Sequence, residues 1–286
     1  MSTFREGFAA APDGLQLYYR DYNTAGGDLT PVLCLAGLTR NTRDFEALAA
    51  HLAQTRRVIA ADMRGRGRSA YDANWSNYSI PVETGDVFAL CAALGLEQVV
   101  VVGTSRGGLL ATVIAAMKPA LLKGVVLNDV GPEIDPRGIA RIAAYVGNQN
   151  ATPESWDAAV SGVKAINGAM FQMADDQWEM MTRAVFREEN GKPVLDYDAK
   201  IGDATRASLA QPQQIDPWTL FGAFAQIPVL VIRGANSDLL SAATVAKMHD
   251  VKPDLKSAEI PDRGHAPLLN EPASLAAIDA FLSGVG

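Results

Sequence analysis

Residues 99–108 read Val99-Val100-Val101-Val102-Gly103-Thr104-Ser105-Arg106-Gly107-Gly108, and an apolar run, LLATVIAAM, follows at once. Four β-branched residues in a row, with no polar residue alternating among them, describe a strand covered on both faces, as in a parallel sheet. Leucine, alanine and methionine dominate the run after Gly108 and favour a helix. The polar Ser105 therefore stands where a buried strand gives way to a helix. In an open parallel sheet, ligands bind in the crevice beyond the carboxyl ends of the strands. A chain reversing sharply there holds its apex residue in a strained conformation, tolerable only if its neighbours lack bulk. Gly103 and Gly107 satisfy that demand, and Ser105 is read as a nucleophile. The same turn puts the Arg106 N–H at a helix N-terminus, facing the place where negative charge would develop.

A serine hydroxyl needs a base at neutral pH. The chain has three histidines. His51 (ALAAHLAQ) and His249 (AKMHDV) lie in helix-like windows, whereas His265 follows Asp262-Arg263-Gly264 in a loop after the last strand-like segment. His265 is the expected base. The base in turn needs a carboxylate to fix its tautomer. Asp129 and Asp238 both follow strand-like segments, and either could reach a histidine over the sheet edge. Asp238 is favoured because it completes the chain order Ser…Asp…His, leaving Asp129 to anchor the segment after it.

Around this centre the chain alternates. Segments 5–11 and 15–22 flank Pro12-Asp13-Gly14 and read as a hairpin. Apolar strands at 31–37, 56–62, 98–105, 123–130, 227–235 and 255–262 then alternate with helical stretches. That rhythm predicts an α/β fold, a largely parallel sheet with helices on both faces. It breaks between residues 132 and 215, which contain no comparable strand and carry helix-like windows at 152–167 and 174–189. Strand-end placement suggests a lid over the site. Of its apolar residues, Tyr145, Trp156, Phe171, Trp178 and Phe186 are candidate pocket residues for a substrate of small to medium apolar character.

With 286 residues and 48% hydrophobic content, the chain can bury a large core. A net charge of −7 argues against nucleic acid or an anionic membrane surface as a partner. Cys34 and Cys91 each sit in an apolar stretch and read as buried thiols. No CxxC, HExxH or histidine cluster suggests a metal, and no basic leader or membrane-length apolar run is visible. A cytoplasmic, cofactor-free protein acting on a small molecule, as monomer or homodimer, is expected.

Together GTSRGG, RGANSD at 233–238, DRGH at 262–265 and DMRGRGRS at 62–69 resemble the α/β-hydrolase family, in its lidded esterase- and lipase-like branch. The resemblance covers nearly the whole chain. It implies an eight-stranded, mostly parallel sheet, with core residues 1–131 and 216–286 and a helical cap at 132–215 after the sixth strand. It implies a backbone oxyanion hole in which the Leu38 N–H joins that of Arg106, and a turn shaped by Asp62, Arg64, Gly65 and Gly67. One departure stands out: Leu35-Ala36-Gly37-Leu38 carries alanine where the family usually has histidine, which removes a brace from the oxyanion loop. Serine at 105, where related epoxide- and halide-displacing enzymes use aspartate, implies an acyl-enzyme from an ester or lactone. Carbon–carbon hydrolysis of a diketone-like acid and a non-catalytic, ligand-binding role are the alternatives. Arg40 and Arg43 are available to hold a substrate carboxylate or to buttress Asp44.

Overall fold

The computed structural model describes residues 4–23, 27–148, 152–211 and 215–285. Strands β1 (Phe4–Ala10) and β2 (Gln16–Tyr22) form the expected antiparallel hairpin. Strands β3 (Val32–Leu35), β4 (Val58–Ala61), β5 (Val99–Thr104) and β6 (Leu122–Asn128) follow in the same sheet. A long segment holding β7 (Phe186–Glu189) and β8 (Lys192–Leu195) comes next, followed by β9 (Val229–Gly234) and β10 (Lys256–Ile260). The sheet has eight strands in the order β1-β2-β4-β3-β5-β6-β9-β10, parallel from β4 to β10. The strand order reverses between β3 and β5, which opens a crevice at the carboxyl end of β5.

Alternation within the strands feeds two separate cores. Leu33, Leu35, Val99, Val101, Val125 and Val231 face one side, under α2 (Ile80–Ala93), α3 (Arg106–Met117), α8 (Pro217–Phe221) and α9 (Ala242–Val251). Val32, Cys34, Val100, Val102, Val126 and Ile232 face the other, under α1 (Glu46–Leu52) and α10 (Pro272–Leu282). All four valines of 99–102 are fully buried, each contributing about 1.5–3 kcal/mol of transfer free energy. Cys34 and Cys91 belong to opposite faces of the sheet and are both free and buried. Desolvation pushes both thiols up, which makes them poor nucleophiles.

Between β6 and α8 lie α4 (Pro136–Tyr145), α5 (Trp156–Asn167), α6 (Asp175–Val185) and α7 (Ile201–Leu209). The segment also holds a two-stranded hairpin, β7 (Phe186–Glu189) with β8 (Lys192–Leu195), where the sequence reading had continued a helical window to 189. The cause is Asn190-Gly191: both have positive φ, 51° and 77°, the two-residue turn that matches strand twist. The hairpin's exit is tied to the core. The Gly67 N–H donates to Asp196 O at 2.8 Å, the Asp198 N–H to Gly65 O at 2.7 Å, and the Tyr78 hydroxyl to Asp198 Oδ2 at 2.6 Å.

Candidate active site

Ser105 caps β5 with φ 51° and ψ −112°, an unfavourable conformation for a residue with a side chain, costing about 1–3 kcal/mol. The glycines around it are sterically required. A Cβ on Gly103 would lie 2.5–2.6 Å from the Gly107–Gly108 backbone, and one on Gly107 would collide with the Leu35 carbonyl. The turn is held by the Ser105 N–H donating to Asn128 O at 3.0 Å and by the Gly108 N–H donating to Ser105 O at 2.9 Å.

His265 Nε2 lies 2.9 Å from Ser105 Oγ, and His265 Nδ1 lies 2.8 Å from Asp129 Oδ2. Asp129, not the expected Asp238, carries the carboxylate against the histidine. Asp129 follows β6 directly, in the strand neighbouring β5, and is completely buried. Its oxygens also accept the Gly234 N–H at 2.8 Å and the Ser237 hydroxyl at 2.5 Å. Asp238 is committed elsewhere: Arg141 of α4 grips it through Nε at 2.6 Å and Nη2 at 2.9 Å. Burial pushes the Asp238 carboxyl up, but Arg141 outweighs it and the net shift is downward. The other two histidines pair outside the site, His51 with Asp279 and His249 with Ser257, each at 2.9 Å.

Neither the Leu38 N–H nor the Arg106 N–H donates to a described acceptor. The Leu38 loop is held from DMRGRGRS: Arg66 Nε donates to the Leu38 carbonyl at 2.6 Å. Arg66 Nη1 also reaches Glu83 Oε1 at 3.0 Å, and Arg106 donates to the same carboxylate through Nε at 2.7 Å and Nη2 at 3.0 Å. One buried glutamate thus ties Leu38 and Arg106 together. Burial pushes the Glu83 carboxyl up, yet the charges of Arg106 and Arg66 hold it below the usual glutamate value. The rest of the motif serves the same turn: Asp62 accepts the Thr42 N–H at 2.7 Å and the Arg68 N–H at 2.8 Å, while Arg64 grips Asp86 at 2.6 Å.

A depressed carboxyl stabilises the fold above its unfolded pKa, and that stabilisation is lost as pH falls through the lower native value. Glu83→Gln leaves the buried Arg66 guanidinium and the partly buried Arg106 guanidinium without a countercharge and is expected to cost about 3–5 kcal/mol at pH 7. Urea denaturation should show the gap to wild type narrowing as pH falls below the ordinary 4.5 of glutamate. A gap independent of pH would contradict this role.

Above Ser105 and His265 opens a cavity of about 310 Å³. Its walls include Leu38, Arg40, Ile142, Tyr145, Val163 and Phe186. Ile166 and Met180, both 44% exposed, also line it and mark its mouth. Tyr145 and Phe186 are therefore where the sequence suggested, and the other three candidate pocket aromatics are not. Phe171 and Trp178 meet edge to face at 6.3 Å in the cluster between α5 and α6, and Trp156 packs against that cluster under Arg183. Trp178→Ala should accordingly cost about 3–5 kcal/mol in a denaturation titration, typical of a lost buried aromatic. A loss below about 1 kcal/mol would show that Trp178 is not part of that packing.

The family profile described as alpha/beta hydrolase fold matches residues 30–272. The chain belongs to the α/β-hydrolase family. This α/β-hydrolase is 33% identical over 98% of both chains to a 3-hydroxybutyrate-oligomer hydrolase of Cupriavidus necator. It is 29% identical to a 2-(acetamidomethylene)succinate hydrolase of Mesorhizobium japonicum, over 82% of this chain and 81% of that one. The crystal structure of an α/β hydrolase from Novosphingobium aromaticivorans superposes with a TM-score of 0.93 at 41% identity, covering 99% of each chain. These relatives are hydrolases. Among the described residues, no group of three or more His, Cys, Asp or Glu side chains is placed to hold a metal ion.

Proposed function

We propose that this α/β-hydrolase cleaves carboxylic esters or lactones of small to medium size through an acyl-enzyme on Ser105. The observation that carries the reading is the unbroken contact chain Ser105 Oγ–His265 Nε2, His265 Nδ1–Asp129 Oδ2, at the floor of a cavity. Ser105 Oγ attacks the carbonyl carbon while its proton passes to His265 Nε2. Asp129 holds the Nδ1–H tautomer and stabilises the imidazolium. The oxyanion is received by the Leu38 and Arg106 N–H groups, donors held in place and therefore requiring no reorganisation. The imidazolium returns its proton to the departing alkoxide, leaving an ester on Ser105. A water molecule, deprotonated by His265, then releases the carboxylic acid and regenerates the serine.

The inserted segment acts in this reading as a lid, since Ile142, Tyr145, Met180 and Phe186 supply much of the cavity wall. The wall is mainly apolar and the cavity is at the small end for ligand sites, which favours short acyl groups. The C. necator relative, named for a hydrolase of 3-hydroxybutyrate oligomers, supports esters of short hydroxy acids as the first substrates to test. Purified protein should hydrolyse p-nitrophenyl esters with kcat/KM falling as the acyl chain outgrows the cavity. No turnover of any ester or lactone in such a series would sink the proposal.

A further inference from the structure

Arg40 stands closer to the nucleophile than an oxyanion-loop ion pair needs. A Cβ built on Gly37 would lie 3.3 Å from Arg40 Cγ and 3.8 Å from Ser105 Cβ, so one glycine separates the arginine stem from the serine. The guanidinium is clamped along one edge only: Asp44 takes Nε at 2.8 Å and Nη2 at 2.6 Å. Nη1 donates to no described residue, and Arg40 lines the cavity. Burial works against its charge, but Asp44 keeps it firmly protonated. The neighbouring Arg43 differs, because Asp196 at 2.5 Å commits it to the hairpin exit.

The sheet order says which half of a substrate would meet Arg40. Arg40 follows β3, on one flank of β5, whereas Asp129 and His265 come from β6 and from beyond β10, on the other flank. A leaving oxygen must face His265 Nε2 to collect its proton. The group turned toward Arg40 is then the acyl portion.

Resting on the ester-hydrolase reading, we propose that Arg40 Nη1 is a specificity-determining donor that binds an oxygen substituent on the acyl chain near the scissile carbonyl. The substituent is a hydroxyl, keto or carboxylate oxygen, so the preferred substrates are oxygen-substituted short acyl esters rather than plain aliphatic ones. A site built around a fixed donor discriminates against the analogue lacking the acceptor, because the donor is then left unpaired.

The test compares kcat/KM of the wild-type chain for p-nitrophenyl butyrate, 3-hydroxybutyrate and hemisuccinate. Wild type should prefer at least one oxygenated ester by about 10- to 100-fold, the scale of a charge-assisted hydrogen bond. Preference for the hydroxylated ester identifies a neutral acceptor, and preference for hemisuccinate identifies a carboxylate. Arg40→Met, which keeps the stem and removes the donors, should bring the ratio close to one. Damage to the loop through Asp44 lowers all three rates together and leaves the ratio untouched. Arg40→Lys restores a donor and should recover part of the preference. A wild-type enzyme without preference overturns the proposal with no variant needed, and so does a preference that survives Arg40→Met. Failure of wild type on all three esters removes the ester-hydrolase reading itself.

Discussion

Asp129→Asn is expected to lower kcat for ester hydrolysis by about 10⁴, as when a triad histidine loses its orienting carboxylate. The amide can still accept one of the hydrogen bonds from Gly234 or Ser237. Its NH₂ cannot accept the Nδ1–H of His265, so the imidazole adopts the wrong tautomer and presents N–H to Ser105. The fold should survive, because the change is nearly isosteric. Asp238→Asn is expected to change kcat by no more than a few-fold. It weakens a partly exposed pair with Arg141, a contact worth about 1 kcal/mol or less. Steady-state kinetics on the two variants decides between them. If Asp238→Asn proved the more damaging, the geometry around His265 would not be the working one.

Ser105→Ala should produce the largest loss, about 10⁶ in kcat on the scale of triad knockouts. Binding should be little affected, because the cavity walls and the two backbone donors remain. Residual catalysis from the oxyanion hole alone stands roughly 10³–10⁴ above the uncatalysed rate. Stability should hold, since the strained turn depends on Gly103 and Gly107 rather than on the serine hydroxyl. Retention of more than about 1% of wild-type kcat would place the nucleophile elsewhere.

The meeting of Ser105 with His265 was legible in the sequence because the signals of both residues are local. The strand, the glycine-flanked turn and the helix occupy one contiguous stretch, and only one histidine follows a strand-like segment in a glycine-containing loop. The acid was not legible. Asp129 and Asp238 both fall between Ser105 and His265 in the chain, so chain order cannot separate them. What separates them is Arg141, 97 residues before Asp238 and in the inserted segment, together with the Gly234 N–H and Ser237 hydroxyl that converge on Asp129. Trp156, Phe171 and Trp178 fell outside the cavity for a similar reason. Whether Trp178 faces the cavity or Phe171 depends on how α5 packs on α6, and composition carries no trace of that. The hairpin at 186–195 was not read from the sequence, because the helix-like window at 174–189 runs through its first strand, although Asn190-Gly191 carries a turn signal. The hydrogen bond from Arg66 to the Leu38 carbonyl was not legible, because Arg66 reaches across from a motif in which the sequence singled out only Asp62, Arg64, Gly65 and Gly67.

The most direct test of the account is to quench wild-type enzyme with acid during turnover of a slow ester and map the peptides by mass spectrometry. The account predicts the mass of the acyl group on the peptide that contains Ser105, localised to Ser105, and its absence from the same peptide of Ser105→Ala. An acyl adduct on any other residue, or full turnover by Ser105→Ala with no adduct at all, would contradict it.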